Sequence, residues 1–148
     1  MKSKLITFIS TIFFATTCTI SAAEIEVLGA EATKKLNLPF SEAVAVGDML
    51  YLSGQIGTKP GEAVVVKGGI EAETRQTMKN IFRILRKYGS SPEKIVKCTI
   101  FLADMDEWGA MNVAYIEALG EHRPARSALG ANGLALNSKV EIECMAVR

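Results

Sequence analysis

Residues 70–102 read IEAETRQTMKNIFRILRKYGSSPEKIVKCTIFL, and they decide the fold because a strong helical pattern runs directly into a strong strand pattern. From 70 to 88 the apolar side chains recur every three or four residues, which places them on one stripe of an amphipathic helix. Gly89 suits the position just past the helix C-terminus. The run Ile95–Leu102 is rich in β-branched and aromatic residues, as central strands are. The stretch therefore predicts a helix that packs back onto a sheet.

Upstream of this stretch the sequence predicts a β-hairpin. Two short apolar-rich runs, 41–46 and 49–53, are joined by Gly47-Asp48, a pair that suits the positive φ of a tight hairpin turn. A second turn at 59–62 contains a Pro-Gly pair and separates two more short extended pieces. This part of the chain therefore contributes strands alone.

Downstream, Asp104 followed by Glu107 resembles a capping box and begins a second helix. Gly120 ends that helix, and residues 139–147 form a last strand. The predicted buried face of the second helix comprises Trp108, Met111, Tyr115 and Leu119. These elements predict a single α+β domain in which two helices pack on one face of a mixed sheet.

The last strand alternates in a way that bears on function. One of its faces carries Val140, Ile142, Cys144 and Ala146, and the other carries Glu141, Glu143, Met145 and Val147. Two carboxylates thus share a face with large apolar groups. That face is either half exposed to water or covered at a subunit interface, where burial and a cation tune a carboxylate for acid–base chemistry. Arg126 is the natural cation, because a guanidinium offers a planar fork to a carboxylate, but its spacing is equally that of a surface arginine.

The N-terminus has the pattern of a cleavable secretion signal. Lys2 and Lys4 precede an apolar run over 5–15 that is short for a bilayer span, and Ser21-Ala22-Ala23 supplies the small residues that a signal peptidase needs. The alternative is a retained anchor or a lipoprotein attached at Cys18. We predict a signal peptide over 1–23 and a domain over 24–148. The mature protein is expected in the periplasm or secreted, without stable membrane association.

Composition excludes several function classes. The 148-residue chain carries a formal net charge of +1, and cleavage removes two lysines, so the mature domain is close to neutral and nucleic acid is not an expected partner. His122 is the only histidine, which disfavours a Ser-His-Asp or Cys-His centre and leaves no zinc spacing, so no metal is expected. Cys98 and Cys144 either pair in an oxidising compartment or are two buried small apolar residues.

Seven ordered motifs together resemble the RidA/YjgF family of reactive-intermediate deaminases. The resemblance covers 39–148, and the series in order is far more specific than any one motif. The motifs are PFSEAV (39–44), LSGQIG (52–57), ILRKYG (84–89), IVKCTIFL (95–102), MNVAY (111–115), PARS (124–127) and VEIE (140–143).

The resemblance implies a chorismate-mutase-like subunit that assembles as a homotrimer with pockets at the subunit clefts. It implies hydrolysis of 2-imino acids and their enamine tautomers to 2-keto acids and ammonia, without a cofactor. By the same resemblance Arg126 binds the substrate carboxylate and Glu141 orients or activates the attacking water. The remaining residues that it places at the substrate are Phe40, Ser53, Gly54, Asn112 and Ala128.

The sequence departs from the family pattern at three places. Phe40 stands where many members have a tyrosine, so a hydroxyl contact is lost, and Ala128 stands where many have a cysteine, which argues against thiol chemistry. The loop 121–123 is shorter than in many members, which affects the pocket rim.

The alternative function is a non-catalytic trimer that binds small carboxylates in the periplasm. Ribonuclease activity has been attached to parts of the family, but a neutral charge and a single histidine disfavour it.

Overall fold

The computed structural model describes residues 22–148, so nearly all of the predicted signal peptide lies outside the described residues. Within them, none of the helices is both long enough and apolar enough to cross a bilayer. The α-helices are α1 (Ala30–Lys35), α2 (Gly69–Lys87) and α3 (Trp108–Leu119). The strands are β1 (Ile25–Leu28), β2 (Ala43–Val46), β3 (Met49–Leu52), β4 (Gln55–Ile56), β5 (Ile95–Leu102), β6 (Ala125–Gly130) and β7 (Val140–Val147).

These strands form one mixed sheet in the order β1-β2-β3-β7-β5-β6, with β4 also paired to β7. β5 and β6 run parallel, whereas the other neighbours are antiparallel. The predicted hairpin is present, because Val46 pairs with Met49 across the turn and Gly47 has a φ of 56°. The prediction of a mixed-sheet α+β domain is confirmed.

The core lies between the sheet and the helices α2 and α3. The predicted stripe of α2 is buried, with Met78, Ile81 and Leu85 fully enclosed. Gly89 follows α2 with a φ of 82°, a left-handed conformation that glycine adopts without strain. The alternation predicted for β7 is also confirmed, since its four apolar residues from Val140 to Ala146 are all buried and face the helices.

The sheet is interrupted where β3 gives way to β4. β3 pairs with β7 as far as Tyr51 opposite Met145, and β4 resumes the pairing with Gln55 opposite Ile142. Residues 53–54 lie between these two strands and leave the ladder. This local break opens a recess beside β7, and one of the predicted site residues projects there.

Cys98 and Cys144 form a disulfide, which settles the alternative that the sequence left open. They lie directly opposite each other on β5 and β7, with their Cα atoms 4.1 Å apart. Both are also buried. The bond therefore joins the two central strands on the helix-facing side of the sheet.

Several features differ from the sequence predictions. β6 was not predicted, because its sequence ARSALG (125–130) has no alternation of large apolar residues. Trp108 is 44% exposed instead of buried, since it begins α3 at the end of the core. The capping box is incomplete: Asp104 accepts from the backbone N–H of Asp106, whereas Glu107 binds the Lys139 ammonium. The elements β1 and α1 were also absent from the prediction.

Candidate active site

Arg126 is held in place by two side chains of α3. It projects from β6, and its Nη1 donates a hydrogen bond of 2.6 Å to Oδ1 of Asn112. Its guanidinium carbon lies 5.2 Å from the centre of the Tyr115 ring, within the range of a cation–π contact. Asn112 and Tyr115 are three residues apart on a helix and therefore face the same side. The structure thus brings together Arg126 and Asn112, two of the residues that the resemblance places at the substrate.

Tyr115 was predicted only as a core residue. In the structure it is buried, and its ring also packs against Arg126. It is 5% exposed, and its hydroxyl is buried without a hydrogen-bond partner among residues 22–148. Burial raises the pKa of this phenol, although the nearby Arg126 charge acts in the opposite direction. The ring face is therefore the part of Tyr115 that serves the site, while its neutral hydroxyl lies in the core.

A groove of about 280 Å³ lies between α3 and the segment leading into β6. Its walls are mostly aromatic and aliphatic, and its charged members are all potential cations. The lining residues are Trp108, Asn112, Tyr115, Ile116, Leu119, His122, Arg123, Pro124 and Arg126. A concave surface with apolar walls and a few polar groups is typical of a small-molecule site.

His122 lies in the same groove, although no sequence motif predicted a role for it in a site. Its Nε2 lies 2.8 Å from the carbonyl oxygen of Ile95, so the ring donates its proton to the backbone there. That bond holds the short loop against β5. The sequence signal for both His122 and Trp108 was weak, because one belongs to a loop and the other matched a core stripe.

Glu141 occupies a different environment on β7. Among the described residues no hydrogen bond or ion pair holds its carboxylate. Partial burial raises the pKa of Glu141, and the negative charge of Glu143 raises it further. A carboxyl group with a raised pKa is suited to exchanging a proton near neutral pH.

Gly54 makes room for that carboxylate. A Cβ built on Gly54 would lie 2.0 Å from Oε1 of Glu141, far inside van der Waals contact. The structure thus brings Gly54 and Glu141 together at the break in the sheet. Ser53 lies beside them, but its hydroxyl donates to the backbone carbonyl of Ser41 at 2.7 Å, which fixes the chain entering the recess.

Phe40 and Ala128 are the two remaining site residues that the resemblance implies. Phe40 precedes β2 and is 49% exposed. Ala128 sits on β6 opposite Ile100 and packs against the core. Their roles at the substrate therefore stay predictions.

Arg126 and Glu141 project from opposite faces of the sheet. Paired residues of neighbouring strands point to the same face. Arg126 is paired with Cys98, which is buried against the helices. Glu141 is paired with Phe101 and alternates with the buried Ile142, so it faces away from them. A single chain therefore presents two half-sites, a cationic one and a carboxylate one.

The donor set of the described residues gives no metal centre. Residues 22–148 contain no group of three His, Cys, Asp or Glu side chains placed to hold an ion.

Comparison with known proteins matches most of the chain. A family model described as endoribonuclease L-PSP matches residues 32–148. The chain is 43% identical over 111 residues to the mitochondrial protein mmf2 of Schizosaccharomyces pombe, an alignment that covers 73% of this chain and 86% of that protein. It is 39% identical over 110 residues to a Mus musculus protein named 2-iminobutanoate/2-iminopropanoate deaminase, with coverages of 74% and 82%.

Solved structures show the same similarity in three dimensions. The YjgF gene product of E. coli superimposes with a TM-score of 0.70 at 34% identity, and the match covers 74% of this chain and 88% of that one.

Proposed function

Since this chain belongs to the endoribonuclease L-PSP family, which includes the RidA/YjgF proteins, we propose that it is a hydrolytic deaminase of 2-imino acids. The observation that carries the proposal is Arg126, held by Asn112 and Tyr115 at the wall of a concave groove. Relatives at 36–39% identity are named 2-iminobutanoate/2-iminopropanoate deaminase. The products are the 2-keto acid and ammonia.

The reaction needs only water and proton transfers. The oxygen of water forms a bond to C2 of the imine, and the C–N bond then breaks. The protons of that water pass to nitrogen, which leaves as ammonia, while the oxygen becomes the keto oxygen. No electrons are gained or lost, so the protein has to bind, orient and transfer protons.

Arg126 is the group that fixes the substrate. Its guanidinium can pair with the carboxylate next to the imine carbon through charge-assisted hydrogen bonds, each contributing about 1.5–3 kcal/mol. Asn112 occupies only Nη1 and is neutral, so the positive charge stays available to the substrate. Holding the imine in one orientation removes much of the entropy cost of adding water.

Glu141 is the group that handles the protons. Its raised pKa allows it to take a proton from the attacking water and to return one to the leaving nitrogen. The absence of a paired cation among the described residues keeps that pKa from falling. Gly54 leaves the space that the Glu141 carboxylate occupies.

The two half-sites are completed by self-association. The family resemblance implies a homotrimer, and the placement of Arg126 and Glu141 on opposite faces supports an active site assembled from two subunits. A closed ring would also cover the face of β7 that carries Glu141 and Met145. Sedimentation of the mature protein tests this part of the proposal, and a monomer with full activity would contradict it.

The enzyme acts after export. Lys2, Lys4, the apolar run 5–15 and the small residues ending at Ala23 support a cleaved signal. The Cys98–Cys144 disulfide supports an oxidising compartment independently. Mass spectrometry of a C-terminally tagged chain expressed in a bacterium should find a periplasmic product that begins at Glu24. An Ala23→Leu variant should stay uncleaved, and a wild-type product that retains 1–23 would contradict export.

The decisive experiment follows an imine directly. An amino-acid oxidase generates 2-iminobutanoate, and the purified mature protein should accelerate its decay over buffer. Arg126→Ala and Glu141→Gln should each lower the rate by about a hundredfold or more, since both remove a group that acts on the reacting atoms. Arg86→Ala, an exposed arginine on α2 outside both half-sites, is the matched control.

The same preparation separates catalysis from binding. Calorimetry with 2-ketobutyrate, the keto-acid product of 2-iminobutanoate, should show binding that depends on Arg126. Binding without any acceleration of imine decay would replace the deaminase with a trimeric carboxylate binder.

A further inference from the structure

We propose that the groove beside Arg126 receives the substrate side chain, and that this enzyme prefers 2-imino acids with bulky apolar side chains, such as those derived from leucine and phenylalanine. The inference rests on the proposed deaminase function. It adds a specificity site built from Trp108 and Ile116, two residues that the catalytic steps do not use.

The apolar surface of α3 is unusual for a helix that faces solvent. Trp108 is 44% exposed and Ile116 is 50% exposed, and Glu117 is the only charged residue of the helix. A solvent-facing helix normally carries charged and polar residues on its outer side. Large apolar side chains that remain exposed and line a concavity mark a binding surface.

The charge of the groove selects an organic anion. Arg123 and Arg126 both line it, and no carboxylate does. Within residues 22–148 neither arginine has a carboxylate partner. Arg123 is held at the rim by the backbone carbonyls of Gly120 and His122, so Arg126 is the cation that lies deeper, against Tyr115. An anionic head with an apolar body is complementary to this arrangement.

The geometry then sets the direction of the side chain. The carboxylate and the side chain of a 2-imino acid are both attached to C2, so a carboxylate bound at Arg126 places the side chain a few ångströms away. The groove of about 280 Å³ is near the lower end, roughly 300 Å³, of known ligand pockets. A methyl group would leave most of the wall formed by Trp108, Ile116 and Pro124 exposed to water, whereas an isobutyl or benzyl group would cover it.

The test compares three imines made by an amino-acid oxidase from alanine, leucine and phenylalanine. For the wild-type protein, kcat/KM for the two larger imines should exceed that for 2-iminopropanoate by about tenfold or more. Trp108→Ala and Ile116→Ala should each reduce that ratio toward one. Trp108→Phe should retain most of the preference. Val113→Ala, which truncates an exposed apolar residue of α3 outside the groove, should leave the ratio unchanged.

A second measurement keeps this inference separate from the deaminase proposal. Calorimetry should show tighter binding of 4-methyl-2-oxopentanoate than of pyruvate, with the difference reduced in Trp108→Ala. If no imine is hydrolysed but this binding preference is present, the deaminase proposal fails and the groove assignment stands. Equal kcat/KM values and equal affinities for small and large ligands would overturn the groove assignment. So would a Trp108→Ala variant that changes the oligomeric state and not the selectivity, because the groove would then be covered by another copy of the chain.

Discussion

The two half-sites are held in place by different means. Arg126 is fixed by direct contacts, because Oδ1 of Asn112 accepts a hydrogen bond from its guanidinium and the Tyr115 ring packs against that guanidinium. Glu141 has no such partner among the described residues, and its position depends on the space left by Gly54. The cation is thus positioned by neighbours, whereas the carboxylate is positioned by shape.

The difference follows from what each group has to do. A cation keeps its full charge, and so its attraction for a substrate carboxylate, when the groups that orient it are neutral. A carboxylate that exchanges protons loses its raised pKa when a cation pairs with it, and Glu42 shows this within the same molecule. Burial would raise the pKa of Glu42, but hydrogen bonds from Lys87 and the Tyr88 hydroxyl lower it below its ordinary value. Glu141 keeps the raised pKa because the structure leaves it unpaired.

The largest expected effect is on stability and comes from breaking the Cys98–Cys144 disulfide, which connects the strands near the two half-sites. The Cys98–Cys144 disulfide links β5, the neighbour of the Arg126 strand, to β7, the strand of Glu141. With a sequence separation of 46 residues, its removal should cost about 4 kcal/mol of the free energy of unfolding in the chain-entropy description. Urea unfolding at fixed protein concentration, with and without reductant, measures this.

The Cys98→Ala/Cys144→Ala double variant supplies the control for that measurement. It should unfold near the midpoint of the reduced wild type, and reductant should not shift it. Identical midpoints for oxidised and reduced wild type would show that the disulfide does not couple the halves.

A smaller effect is expected when only the carboxylate half-site, which contains Glu141, is disturbed. In Gly54→Ala the new Cβ meets the far end of the Glu141 side chain, so the carboxylate moves while the backbone can stay in place. A displacement of about 1 Å at a reacting group can lower kcat by about a hundredfold. Steady-state kinetics should show this loss with little change in the thermal midpoint.

Gly109→Ala is the matched glycine variant. A Cβ there meets nothing within 4 Å, and alanine is favoured over glycine in a helix by about 0.5–1 kcal/mol. It should keep full activity. Equal kinetics for the two variants would mean that Glu141 does not depend on the space at Gly54.

Local patterns in the sequence were sufficient for the elements that bury a regular stripe. The helix α2, the strands β5 and β7 and the hairpin of β2 and β3 follow from periodicity and turn residues. The strand β6 did not, because ARSALG has no alternation of large residues and each of its residues pairs with one that lies 28 positions earlier, as Arg126 does with Cys98. That missing strand carries Arg126, so spacing alone could not place the cation.

The site itself was only partly accessible from the sequence. Asn112 was named through the family resemblance, and in the structure its Oδ1 accepts a hydrogen bond from Arg126. The roles of Arg126 and Glu141 were assigned through the family resemblance. Their placement on opposite faces of the sheet depends on strand register, which local sequence patterns do not determine. The contact between Tyr115 and Arg126 could not be predicted, because the helical spacing of Tyr115 is also that of a core residue.

A more modest effect is expected on the contact-determined half when Tyr115 is changed. Tyr115→Leu removes the ring under the Arg126 guanidinium, a contact of about 0.5–2 kcal/mol, so KM for the imine should rise about 3- to 30-fold with a smaller change in kcat. Tyr115→Phe keeps the ring and removes a buried hydroxyl without a partner, so it should retain wild-type kinetics and be at least as stable. Equal losses in both variants would show that the hydroxyl, and not the ring face, supports Arg126.

The smallest effect concerns stability and has opposite signs at the two contrasted carboxylates. The folded state of wild type holds the Glu141 proton more tightly than the unfolded state does, because its folded pKa lies above the ordinary 4.5. Stability from this group is full at pH below that value and falls as pH rises through the folded pKa. Glu141→Gln should therefore raise the thermal midpoint relative to wild type at neutral pH, with the gain shrinking under acid conditions.

Glu42 should behave in the reverse way. Its folded pKa lies below the ordinary 4.5, so its contribution to stability is full above that value and is lost as pH falls through the folded pKa. Glu42→Gln should consequently lower the midpoint at neutral pH, and the loss should shrink on acidification. Thermal scans of the three proteins across the acid range measure both differences. Shifts of the same sign in the two variants would mean that Glu141 is a paired, structural carboxylate like Glu42, and the contrast between a shape-held and a contact-held group would no longer describe the active site.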